Sequence, residues 1–246
     1  MSSSRHPLAA PVVNAVVLRV TDRLETLLWR RPDNVLDAVE HWSLPGGFVR
    51  EGESLDDATR RHLASKVGVT VVGHLEQLDT NASAGTHPEL WLLDIGYVAL
   101  VPPEPNPPAH ALPPDTAWHP VAVLPPIAFG HEGAVHRAHD RLRGKLSYSN
   151  VAFALAPERF TLRELAALYE AVLGYAVSPT NLGRVLGRDG LIAATGATRA
   201  PAGNGGGRPA AEFAFTRAEL VVSRPLAAFR PPASGAGTDR APAPSA

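Results

Sequence analysis

The sequence predicts an α+β chain in two units, a strand-rich one with a single capped helix followed by a compact helical one closed by a hairpin. Three observations predict it. Apolar runs of strand length, separated by turns, dominate residues 11–121. Two helical patterns with start and stop signals lie close together between residues 161 and 190. Charge divides near the same boundary: residues 1–136 hold nine Lys/Arg against sixteen Asp/Glu, and residues 137–230 hold thirteen against seven. The expected units are 9–146 and 147–224. The flanking residues 1–8 and 225–246 are expected to be disordered, because their composition offers little to bury.

Within the first unit, 11–20 (PVVNAVVLRV) and 25–31 (ETLLWRR) read as strands across a TDRL turn, and 42–49 as a short strand broken by Pro45-Gly46-Gly47. Ser54 caps a helix that runs to about Val67: Asp57 stands at its third position, Asp56 and Asp57 suit its positive start, and Gly68 stops it. Strands are expected at 69–79, 90–101 and 117–121, with a Pro-rich loop at 102–116 and a helix at 130–146. In the second unit, Thr161-Leu-Arg-Glu164 is a capping box. Leu165, Leu168, Tyr169, Val172 and Leu173 follow at helical spacing, up to Gly174. Ser178-Pro179 opens another helix, which Gly190 ends. Two strands, 191–195 and 212–216, flank the loop GATRAPAGNGGGRPAA.

Composition removes several classes. The 246 residues are 45% hydrophobic, enough for a sizeable core, yet no apolar run approaches the ~18 residues of a membrane span. The N-terminus lacks the apolar segment of a signal peptide. With no cysteine, a disulfide framework, thiol catalysis and thiolate zinc sites are excluded, and a cytoplasmic protein without membrane contact is expected. The basic second half points to a polyanion as partner, unless the division is chance.

Residues 47–69 contain the pattern glycine, five residues, glutamate, seven residues, arginine, and then an apolar and a glycine position. Gly47, Glu53, Arg61, Leu63, Gly68 and Val69 all fall in register, behind the lead-in Leu44-Pro45-Gly46. This segment resembles the Nudix box, which implies a Nudix α/β/α sandwich with a mixed sheet. The family's metal-binding glutamates fall at positions occupied here by His62, Ser65 and Lys66, which share one helix face. A face without carboxylates should not hold the Mg²⁺ ions that neutralise a diphosphate and activate water, so no metal site and no catalytic residue is expected. The resemblance makes Glu53 and Arg61 a structural ion pair. Gly46, Gly47, Phe48 and Arg61 are expected at the ligand. Lys66 is either a solvated helix residue or an ammonium that meets the diphosphate in place of a metal. Arg30, Arg31, Trp42 and Trp91 either grip phosphate and stack on adenine or serve the sheet. His131, His136 and His139 are expected to play surface roles.

Helix, short turn, helix and Gly-rich hairpin form the pattern of a winged helix-turn-helix, the alternative being a helical accessory domain. Thr180, Asn181, Arg184 and Arg188 fall on one face of the second helix, opposite Leu182, Val185 and Leu186. Arginine and asparagine suit base edges in the major groove. Arg199 and Arg208 flank the wing tip, and Arg137, Arg141, Arg143 and Lys145 make the connecting helix basic, so Lys145, Arg199 and Arg208 are expected at DNA.

A degenerate Nudix domain followed by a winged helix resembles the NrtR family of transcriptional regulators. The junction Lys145-Leu-Ser-Tyr-Ser-Asn-Val-Ala-Phe-Ala-Leu155, with 160–165 and 169–174, is particularly similar. The resemblance implies a homodimeric repressor of NAD biosynthesis genes on a palindromic double-stranded operator, with no cofactor and with ADP-ribose or a related nucleotide as effector. The competing expectation is an active ADP-ribose pyrophosphatase with unusual metal ligands such as Glu51, Glu53, Asp56 or Glu132. A third is a Nudix-like protein-interaction module without a ligand.

Overall fold

A computed structural model describes residues 8–30, 42–84, 90–103, 112–200 and 209–222. The expectations for Arg31, Arg208, the wing tip, residues 1–7 and the C-terminal tail fall outside these. Leu8, expected in the N-terminal tail, already belongs to the first strand.

The first unit is built on β1 (Leu8–Val20), β2 (Leu24–Arg30), β3 (Trp42–Ser43), β4 (Gly46–Phe48), β5 (His74–Ala84), β6 (Leu90–Leu100) and β7 (Thr116–Pro120). These strands form one mixed sheet whose main path runs β3-β2-β1-β6-β5, with β1 and β6 parallel. On its other edge β1 changes partner, meeting β4 at Val12–Asn14 and β2 at Val17–Val20. That divided edge opens the sheet at one end.

Alternation along β1 assigns the two faces. Val13, Ala15 and Val17 pack with Leu63 and Val67 of α1 (Leu55–Val67), while Val16, Leu18 and Val20 join an apolar cluster containing Val135, Leu142 and Leu146 of α2 (Glu132–Leu146). The α1 signals behave as read. Ser54 accepts a hydrogen bond from the Asp57 amide, and Gly68 ends the helix in the left-handed region at φ 68°. A 3₁₀ turn, Ala128–Gly130, precedes α2, which begins at Glu132, two residues later than the expected helix at 130–146.

The strand expected at 69–79 lies instead at His74–Ala84. The β-branched residues after Gly68 return the chain from α1: Val69 and Val72 pack against the α1 core, and pairing with β6 starts only at His74.

The second unit holds β8 (Phe160–Thr161), α3 (Leu162–Leu173), α4 (Pro179–Arg188), β9 (Ile192–Arg199) and β10 (Ala210–Phe215). Both halves of the Thr161/Glu164 capping box form, and Ser178 caps α4 with Pro179 in its first turn. α4 packs so closely on α3 that a Cβ at Gly183 would meet the Leu162 side chain at 2.4 Å. The three strands form an antiparallel sheet in the order β8-β10-β9. The apolar cluster behind the main sheet continues through Val151 and Leu155 to Tyr169, Leu182 and Leu186, so the two units share one core.

Candidate functional site

A cavity of about 680 Å³ opens where β1 changes partners, a volume within the ordinary range for nucleotide-sized ligands. The glycine loop of β4 and Lys66 of α1 form one wall, β1, β5 and β6 the floor, and the turn before α2 the other wall. The glycine pair is sterically required. A Cβ on Gly46 would meet the Val13 carbonyl oxygen at 2.2 Å, and one on Gly47 would meet the His62 ring at 2.5 Å.

The face of α1 that carries carboxylates in the Nudix pattern is turned to a different use. His62 is buried, and its Nε2–H donates to the Phe48 carbonyl at 3.1 Å. Burial depresses its pKa, and the nearby Arg61 and Lys66 cations add to the effect against the Phe48 bond, so the ring is neutral. The Lys66 ammonium donates to the Gly46 carbonyl at 2.5 Å and lies 4.4 Å from the centroid of the Trp29 ring. Two of the three substituted positions therefore fasten the glycine loop directly to α1. An imidazole, a hydroxyl and an ammonium offer no anionic oxygen, so the residues on this face do not fit a hard divalent cation. Among the described residues no group of three or more His, Asp or Glu side chains is gathered for a metal.

Glu53 and Arg61 form a two-point pair, both bonds at 2.6 Å, and Arg61 also donates to the Phe48 carbonyl at 3.1 Å. The Arg61 hydrogen bond holds the Glu53 carboxyl down at about 2, despite some opposing desolvation. Asp56 accepts the Tyr97 hydroxyl at 2.8 Å. Thus two of the carboxylates considered as unusual metal ligands already have partners.

Of the residues expected at the ligand, Gly46, Gly47, Phe48 and Lys66 line the cavity; Arg30, Trp42 and Arg61 do not. Trp42 meets His119 edge-on at 4.4 Å under the Arg30 guanidinium, a contact between sheet strands. The cavity also holds residues the sequence reading did not connect. Asn14 donates to Asp94 at 2.6 Å, and His131 Nε2 stands 3.4 Å from the other Asp94 oxygen. Burial alone raises the Asp94 pKa, but these two partners outweigh it and the carboxyl is held below its usual range. Asp79 reaches across β6, where a Cβ on Gly96 would lie 2.5 Å from its oxygen, and pairs with Arg137 at 2.7 Å. A β-bulge beside Asp79 re-aims its side chain.

The basic connecting helix is a correction to the sequence reading. Lys145, expected at DNA, is only 13% exposed, and its ammonium lies 2.7 Å from Glu76 of β5. Arg141 approaches the same carboxylate at 3.6 Å. Part of the charge division is therefore consumed between α2 and the main sheet. Arg199 is likewise occupied: it pairs with Glu164 at 2.7 Å and Glu212 at 2.9 Å, bracing β9 against α3 and β10. On α4, Thr180, Arg184 and Arg188 are exposed and Asn181 is partly so, while Leu182, Val185 and Leu186 are buried. Arg184 donates to Asn181 at 2.7 Å, which orders the exposed face.

Fold and site together define a class: a Nudix sandwich with a nucleotide-sized cavity, carrying a winged helix on a shared core. Residues 9–138 match the NUDIX domain, and residues 152–215 match the NrtR DNA-binding winged helix domain. The chain is similar to NrtR of Shewanella oneidensis, solved in complex with a 27mer DNA, at 31% identity and a TM-score of 0.70, covering 83% of this chain and 92% of that one. It is 27% identical over 217 residues to the ADPR responsive transcriptional repressor NtrR of Acinetobacter baylyi, covering 86% of this chain and 84% of the relative. A MutT/nudix family protein from Enterococcus faecalis shares the fold at 20% identity, with a TM-score of 0.64 and coverage of 87% and 89%. The chain belongs to the NUDIX family and, within it, to the NrtR-type transcriptional regulators.

Proposed function

We propose that this protein is an ADP-ribose-responsive, DNA-binding repressor of NAD biosynthesis genes whose Nudix domain senses a nucleotide without hydrolysing it. One observation carries the reading. The α1 face that should hold a metal ties His62 and Lys66 to the glycine loop, while the cavity beside that loop stays open to a ligand. The names of the relatives from Shewanella oneidensis and Acinetobacter baylyi support DNA and ADP-ribose as the two partners. In this reading residues 9–146 sense and residues 147–224 bind DNA. The protein works in the cytoplasm as a homodimer on a palindromic operator, and ADP-ribose is its effector rather than a cofactor. No helix among the described residues is long and apolar enough to cross a membrane.

Within the cavity, Gly46, Gly47, Phe48 and Lys66 face the ligand, and Glu53 with Arg61 braces the loop that carries them. At DNA, Thr180, Asn181, Arg184 and Arg188 face the major groove, and Arg208, which lies outside the described residues, is assigned to the phosphate backbone from its place in the sequence. The test is incubation with ADP-ribose and Mg²⁺, followed by product analysis. The expected result is binding with no more than trace AMP. Turnover in the ordinary enzyme range, about 1–10³ s⁻¹, would overturn the sensor reading.

A further inference from the structure

The cavity takes up one face of the main sheet, and α1 covers part of the other. Ile95, Tyr97 and Ala99 of β6 belong to the α1 cluster, and Asp56, in the first turn of α1, accepts the Tyr97 hydroxyl at 2.8 Å. The sheet extends past this end of the helix, and there Trp91 is 46% and Leu93 37% exposed. Alternation puts both on the side of Ile95, opposite Leu92 and Asp94, which line the cavity. Trp91, for which the sequence offered adenine stacking or a place in the sheet, therefore faces away from the cavity. Register sets Ala9 and Pro11 of β1 beside this pair, and Ala82 of β5 beside Leu93. These five side chains carry no charge, and the indole N–H is their one hydrogen-bonding group. A sheet face that meets water alternates to polar residues, whereas here the positions that continue the α1 core outward stay apolar. Single exposed apolar residues need no explanation, but an adjoining Trp and Leu with apolar neighbours on both flanking strands mark an interaction surface.

Charge at the border of this face indicates its occupant. The Val49 amide donates to the Pro11 carbonyl at 3.1 Å, and the chain runs on from there into Arg50 and Glu51, both exposed. Adjacent residues of opposite sign are self-complementary about a two-fold axis: Arg50 of each copy meets Glu51 of the other, and the uncharged centre meets itself without repulsion. With strands ~4.8 Å apart and residues ~3.3 Å along them, the face measures about 10–15 Å on a side. That suits the apolar centre of an interface, which a polar rim extends to the ~800 Å² per partner of a stable dimer.

We propose that the Trp91–Leu93 face docks a second copy of this chain, sheet face to sheet face about a two-fold axis, with Trp91 as the anchor. The inference rests on the homodimer reading above and adds to it the surface. Because this face lies opposite the cavity, docking leaves the cavity open to its ligand.

The test is sedimentation of the full chain over a dilution series, for wild type, Trp91→Glu, Trp91→Phe and Val123→Glu. Wild type is expected to be a dimer. Trp91→Glu raises the dimer Kd by at least about 30-fold, the loss of one anchor residue. Trp91→Phe keeps the dimer, and so does Val123→Glu, a charge at a residue 74% exposed on another element. The chain has no cysteine, so a second measurement is available that does not depend on how the glutamate variant folds. A short thiol–thiol cross-linker should join two copies of Leu93→Cys and fail to join Val123→Cys. A dimeric wild type in which Trp91→Glu stays dimeric and Leu93→Cys does not cross-link overturns this surface and leaves the homodimer standing. A monomeric wild type overturns both, and a lower melting temperature for Trp91→Glu in that monomer would give the face to a segment of its own chain.

Discussion

Replacing Lys66 by methionine keeps the length and apolar character of the stem and removes only the ammonium. Two contacts are lost together: the donor to the Gly46 carbonyl at 2.5 Å and the cation over the Trp29 ring at 4.4 Å. A hydrogen bond from a charged donor contributes about 1.5–3 kcal/mol. A cation–π contact at a partly exposed site adds about 0.5–1 kcal/mol. Lys66 is partly exposed, so solvent weakens both, and a net loss of about 1–3 kcal/mol is expected. In a domain of this size each kcal/mol lowers the melting temperature by about 2–4 °C. Urea unfolding followed by circular dichroism measures the loss, and titration with ADP-ribose measures a parallel fall in affinity, because the loop that Lys66 holds also lines the cavity. A Lys66→Met variant with unchanged unfolding free energy and unchanged ADP-ribose affinity would refute the idea that this ammonium has taken over from a metal as fastener of the loop.

The remaining predictions concern DNA and pH. Arg184→Ala and Arg188→Ala should each weaken operator binding by about 1–3 kcal/mol if each arginine reads a base, measured by fluorescence anisotropy at fixed salt; operator affinities equal to wild type would remove α4 from the groove. The Glu53 carboxyl is held near 2 in the folded protein, below its unfolded value, so its pairing stabilises fully above about pH 4.5 and is lost as pH falls through about 2. The stability gap between wild type and Glu53→Gln should therefore be constant from pH 7 to 5 and shrink below that; a gap independent of pH would contradict the pairing. Burial lowers the His62 pKa below 6.5, so the unfolded chain takes up a proton first and stability declines as pH falls below that value. His62→Asn should flatten part of that decline in melts between pH 7.5 and 5.

Local signals carried much of the fold. Ser54, Thr161 and Ser178 cap the helices they were expected to cap, and Gly68 and Gly174 take up the left-handed geometry that stops them. These features depend on neighbours within four residues. The misplaced strand at 69–79 shows where local reading stops. Its β-branched residues have strand propensity, but the α1 core claims Val69 and Val72, and β6 sets where pairing starts. The cavity shows the same limit more sharply. Its glycine-loop wall was legible because the Nudix pattern is contiguous. Its floor was not, because Asn14 and Asp94 are 80 residues apart and meet only through the parallel pairing of β1 with β6. Basic residues on α2 read as a nucleic-acid surface because nothing local reveals that Glu76 and Asp79 will lie beside them.

Those same pairs give the two halves a physical link. Arg137 lines the cavity while bound to Asp79, Lys145 is fixed to Glu76 further along α2, and His139 bonds the Val172 carbonyl of α3 at 2.7 Å. A ligand that alters the Arg137 end of α2 therefore acts on the element that supports the winged helix. The most direct test is to measure operator affinity with and without saturating ADP-ribose, and ADP-ribose affinity with and without operator, on one preparation at one salt concentration. The account predicts that ADP-ribose weakens operator binding and that operator weakens ADP-ribose binding by the same factor, about 5- to 150-fold for a coupling of ~1–3 kcal/mol. Both affinities unchanged, in a protein that binds each partner, would contradict it.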